Sequence, residues 1–228
     1  MFFSASYWIY MLPGMALVMF TSWYVKSAYR KWSKVQARSR ISGQEAAQRL
    51  ITRAGLYDVQ IEGIRGEMSD HYDPRSKTLR LSQGVAQGSS VASLAIAAHE
   101  LGHAMQDAED YFPLKVRAAM VPMVNVGSTL GWILIMAGLF LNWLNIAWLG
   151  IAFFAGGALF ALMTLPVEFD ASARAKRLLA ETGIIQTEQE QRGVNNVLNA
   201  AALTYVAALV TAVLQVLYYA SLLSGRRR

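Results

Sequence analysis

The stretch AAMVPMVNVGSTLGWILIMAGLFLNWLNIAWLGIAFFAGGALFALMTLPV, residues 118–167, runs for 50 positions without a charged side chain. About 20 apolar residues cross a bilayer as a helix, so this tract holds two crossings, parted near Leu141-Asn142-Trp143-Leu144-Asn145. Residues 1–25 and 193–225 are also free of charge and hold one crossing each. All fifteen acidic residues, and every basic one except Arg226, Arg227 and Arg228, fall in the two segments between these tracts. The pattern predicts a mainly α membrane protein with four transmembrane helices, at 4–25, 118–140, 144–165 and 200–223. Of the 228 residues 54% are hydrophobic and 16% charged, with a mean hydropathy of +0.29. A soluble domain carries about 25% charged residues, and the shortfall here is confined to the four tracts.

The first tract is expected to stay as an anchor rather than be cleaved as a signal peptide. It has no basic residue ahead of it, Pro13-Gly14 interrupts it, and Lys26, Arg30, Lys31, Lys34, Arg38 and Arg40 follow it directly. By the positive-inside rule that flank is cytoplasmic, so both hydrophilic segments face the cytoplasm and both termini lie outside. Arg226, Arg227 and Arg228 pull the other way. The net charge of +6 then points to the lipid bilayer and its anionic headgroups, not to nucleic acid. The absence of cysteine excludes disulfides and thiolate zinc sites.

The hydrophilic segment 26–116 reads as a small α+β region. Ser42-Gly43-Gln44-Glu45 is a capping box opening a helix that Gly55 closes. Val59, Ile61 and Ile64 lie in a strand-like stretch, Asp73-Pro74-Arg75-Ser76 marks a turn, and Lys77 to Ser82 alternates polar and apolar. Ser89 or Ser90 caps a further helix running to about Gln106. That last helix carries His99-Glu100-Leu101-Gly102-His103. Residues four apart share a helix face, so both imidazoles reach one metal ion, while Glu100 is placed to touch a water on it. A catalytic zinc takes three protein ligands and leaves one position open. The extended motif fails to supply the third, since Gln106 stands where it requires glycine and Glu109 where it requires histidine.

The second hydrophilic segment, 166–199, offers Glu168 and Asp170, read as the start of a helix. Two crossings separate it from the histidines and return the chain to the same side, as a shared ion requires. Glu168 is the expected third ligand. Asp170 is expected to support the site or to pair with a cation. The structural alternative for both is stabilisation of a helix N-terminus.

Together with His99-Glu100-Leu101-Gly102-His103, the pieces Ser69-Asp70-His71-Tyr72-Asp73-Pro74-Arg75, Thr78-Leu79-Arg80-Leu81-Ser82 and Pro166-Val167-Glu168-Phe169-Asp170-Ala171-Ser172 resemble a bacterial family. It is the neutral-zinc or membrane zinc metallopeptidases, a four-span group of gluzincin type distantly similar to the HtpX-like membrane proteases. The resemblance spans nearly the whole chain. It implies a zincin-like catalytic region at the surface of the bacterial inner (plasma) membrane, with His99, His103 and Glu168 as zinc ligands and Glu100 as general base. In the wider class an aspartate four residues after the glutamate ligand supports a zinc histidine. Here that residue is Ser172, so the groups orienting the imidazoles are not given by the pattern.

The expected function is a zinc metalloendopeptidase. Its expected partners are protein or peptide substrates that are membrane-associated, because Glu168 follows the third span after only Pro166 and Val167. The strand Lys77 to Ser82 is either the edge on which substrate lies or an ordinary sheet strand. His71 and Tyr72 are candidate oxyanion donors. Gly127-Ser128-Thr129-Leu130-Gly131 suits close helix packing, within one chain more than between copies. The alternative is a proteolytically inactive zinc-binding scaffold or adaptor, against which the intact Glu100 argues. Ion transport is disfavoured by the absence of charge inside the spans.

Overall fold

The computed structural model describes residues 5–225. The expected first position of the opening span, Ser4, and the counter-charges Arg226, Arg227 and Arg228 lie outside them. The chain order is α1 (Ala5–Trp32), α2 (Gly43–Ala54), β1 (Gln60–Ile64), β2 (His71–Asp73), β3 (Thr78–Ser82), α3 (Gln83–Ala86), α4 (Val91–Ala108), α5 (Phe112–Phe140), α6 (Leu144–Glu181) and α7 (Glu188–Ser224). Helices α1, α5, α6 and α7 are each long and apolar enough to cross a membrane. The protein is a mainly α membrane protein with a small α+β region.

The chain divides into two compact units. One takes in Lys115–Pro166 and the described residues of Met1–Ser22 and Leu203–Arg228. Within it α5 and α6 meet through glycines. A Cβ on Gly131 would lie 2.8 Å from the Gly150 carbonyl oxygen, and one on Gly138 would lie 2.5 Å from the Ala147 nitrogen. The second glycine of the small-residue pattern therefore packs against the same chain. Ile135, Ala147, Ile151 and Leu223 are buried together beside this contact. The outward faces are apolar: Ile9 and Met123 are each 71% exposed, a distribution suited to lipid rather than water. Asn142, at the expected break, takes a left-handed φ of 57° and separates α5 from α6.

The other unit comprises Trp23–Leu114 and Val167–Ala202. Its centre is α4, whose Val91, Leu94, Ala95, Ala98 and Leu101 are fully buried. They share a core with Leu50 and Ile51 of α2, Leu79 and Leu81 of β3, Leu178 and Leu179 of α6, and Val197 and Leu198 of α7. The local signals act as the sequence suggests. The Ser42 hydroxyl accepts from the Glu45 N–H while the Glu45 carboxylate accepts from the Ser42 N–H. Gly55 closes α2 with a left-handed φ of 71°, and Ser90 caps α4 by accepting from the Ser93 N–H.

The structure decides between two open readings of one strand and corrects one expectation. The sheet order is β1-β3-β2, with β3 parallel to β1 and antiparallel to β2. The strand at Lys77 to Ser82 is thus central, its edges are both taken, and it cannot receive an extended substrate. Glu168 and Asp170 also do not begin a helix, because α6 runs unbroken from Leu144 through Pro166. The N-terminal dipole explanation for these two carboxylates falls with that finding.

Candidate metal centre

Helix α4 presents His99 and His103 on one face, one turn apart, with ring centroids 4.9 Å from each other. Glu168, almost wholly buried, reaches them from α6. Its Oε2 lies 3.3 Å from His99 Nε2 and 3.7 Å from His103 Nε2. Two ligands each ~2.1 Å from a tetrahedral ion stand ~3.4 Å apart, so these separations suit three corners of one coordination sphere. Among the described residues this is the His/Cys/Asp/Glu group whose ligand atoms come together, all within 4.8 Å of one another. Glu100 is not a member of it.

The far nitrogens of both rings are engaged. His103 Nδ1 lies 3.0 Å from Gln106 Oε1, and His99 Nδ1 lies 3.2 Å from Ser172 Oγ. With the ring protons on Nδ1, each Nε2 turns a lone pair toward the Glu168 carboxylate. Three electron pairs then converge on one point, an arrangement that a cation completes. His103 reflects the same field. Its burial opposes charge, but Glu168 and Glu100 outweigh that and hold its pKa above the ordinary histidine value. The donor set of two imidazoles and one carboxylate, with no thiolate, is that of a catalytic zinc site.

Glu100 lies beside the cluster. Its Oε2 accepts from the Tyr72 backbone N–H of β2 at 3.2 Å, and burial raises its pKa above the usual carboxylate range. A carboxyl group so tuned exchanges protons nearer neutrality. The two helices approach closely where α4 carries Gly102. A Cβ there would lie 2.5 Å from the Ala171 carbonyl oxygen of α6.

The family model described as "Putative neutral zinc metallopeptidase" matches residues 7–224. The chain belongs to this family of membrane zinc peptidases. A relative from Bacillus subtilis (strain 168), described as "Putative membrane protease YugP", is 42% identical over 216 residues, covering 94% of this chain and 96% of that protein. No solved structure matches the chain.

The other residues singled out from the sequence fare unequally. Asp170 stays out of the cluster and pairs with Arg174 at 2.6 Å. The Tyr72 hydroxyl donates to Asp107 at 2.9 Å, so its proton is already committed. His71 is exposed, with Nδ1 2.9 Å from the Ser69 carbonyl oxygen. Ser172, the serine standing where gluzincins carry aspartate, is the residue against His99. Gln106 registers in the sequence only as a mismatch to the extended motif. The signal that could have found it is its position three residues after His103 on an apolar helix, where a fully buried amide needs partners.

Proposed function

We propose that this member of the family is an integral-membrane zinc metalloendopeptidase of gluzincin type, with His99, His103 and Glu168 holding zinc and Glu100 acting as general base. The convergence of both Nε2 atoms and Glu168 Oε2, with Glu100 beside them but outside the cluster, is the observation that carries this reading. When bound, zinc supplies Lewis acidity, bringing the pKa of a water toward about 7 and polarising a peptide carbonyl. Glu100 accepts the water's proton as the water attacks the carbonyl carbon, then delivers it to the leaving amine. The Tyr72 N–H fixes one carboxylate oxygen during both transfers.

The substrates proposed are membrane proteins or membrane-proximal segments, since Glu168 follows the uncharged tract of residues 118–167 directly. The proposed location is the bacterial inner membrane with the site on the cytoplasmic side, from the six basic residues between Lys26 and Arg40. Terminal-peptide proteomics on membranes of a deletion strain complemented with wild type or Glu100→Gln tests the reading. New protein termini near membrane segments, found with wild type alone, are expected. Identical termini in both strains would leave the inactive scaffold as the better description.

A further inference from the structure

Gln106 is fully buried on α4, and its side-chain amide makes three hydrogen bonds. Its Nε2 donates to the Val167 carbonyl oxygen at 2.7 Å and to Asp170 Oδ2 at 2.8 Å. Both neighbours present acceptors: Val167 offers its carbonyl oxygen, and the Asp170 carboxylate is paired with Arg174 at 2.6 Å, which is paired in turn with Glu109 at 2.7 Å. The amide therefore cannot flip without turning an oxygen onto two acceptors. Its Oε1 must face His103, 3.0 Å from Nδ1, and an oxygen there accepts a proton and offers none. The His103 proton is then fixed on Nδ1 and its lone pair on Nε2, the nitrogen that points at Glu168.

We infer that Gln106 is a positioning residue, which locks the tautomer and ring orientation of His103 through the chain Glu109–Arg174–Asp170–Gln106. This rests on the reading of His103 as a zinc ligand. It gives the glutamine at the mismatched position of the extended motif a definite task. It also ties the third-ligand helix to the histidine helix, since Val167 and Asp170 flank Glu168.

The test uses the full chain in detergent micelles, with zinc affinity measured by chelator competition and histidine proton–nitrogen spectra of the zinc-loaded protein. With only three histidines the spectra are readily assigned. In wild type the His103 Nδ1–H should be visible and slow to exchange. Gln106→Met, close in shape but unable to accept from His103 in the same way, should bind zinc about 10- to 100-fold more weakly and lose that protected signal. Loss of that signal in a variant of nearly the same shape is not predicted by a purely space-filling role for Gln106. If Gln106→Met does not fold, the wild-type spectra decide alone: a His103 Nδ1–H that exchanges as fast as that of the exposed His71 overturns the inference. Equal affinity and an intact Nδ1–H signal in Gln106→Met overturn the role of Gln106 while leaving the zinc site standing. Wild type that binds no zinc overturns the metal reading, and this inference with it.

Discussion

Replacing Gly102 with alanine adds one methyl group between the two helices that bring the metal-binding side chains together. In an isolated helix the change would stabilise by about 1 kcal/mol. In this protein the new Cβ lies 2.5 Å from the Ala171 carbonyl oxygen and 3.0 Å from the Ala171 Cα. Recovering an ordinary contact of 3.4 Å to that oxygen requires α4 and α6 to part by about 0.9 Å there. Overpacking of this kind costs about 1–3 kcal/mol, partly offset by the helix gain, so the fold should survive. The site should not survive intact. Ala171 is three residues from Glu168, and ligand distances tolerate changes of only about 0.2 Å. Zinc affinity by chelator competition should fall at least about tenfold, with helix content by circular dichroism unchanged. Gly157→Ala is the control, because nothing lies within 4 Å of the Cβ it would add. Affinity within about threefold of wild type in Gly102→Ala would refute the claim that this contact sets the ligand geometry.

Three further outcomes are expected. Glu168→Ala should lose zinc on dialysis, whereas Asp170→Ala should lose far less; the reverse order would make Asp170 the ligand. Asp73 accepts from Arg80 and from the Arg75 N–H, which lower its pKa to about 2. Its contribution to stability is therefore full above the unfolded value of about 3.9 and lost as pH falls toward about 2. Asp73→Asn should melt below wild type near neutrality and together with it at about pH 2, and a gap that persists in acid would contradict this. Single cysteines at Ser39 and Thr187 should resist an impermeant maleimide in intact cells while one at Ser224 reacts. Labelling of the first two from outside would turn the site to the exterior.

The legible features were those whose physics is local. The absence of charge over 50 residues marks a bilayer crossing wherever the chain goes, and Ser42 with Glu45, or Gly55 after α2, needs only its neighbours. Spacing of four placed His99 and His103 on one face, and the even number of crossings required Glu168 to return to them. The unread features depend on distant partners. Pro166 looks like a helix break, yet α6 passes through it. Alternation in Lys77 to Ser82 marks a strand but not its neighbours, and β3 is buried along nearly its whole length because β1 and β2 flank it. Gln106 finds its partners 61 and 64 residues away, a pairing that no local pattern encodes.

Zinc content and peptide hydrolysis, measured side by side on purified wild type and Glu100→Gln, test the central claim most directly. The account predicts one zinc per chain in both proteins and hydrolysis by wild type alone. Hydrolysis by Glu100→Gln at the wild-type rate would contradict it.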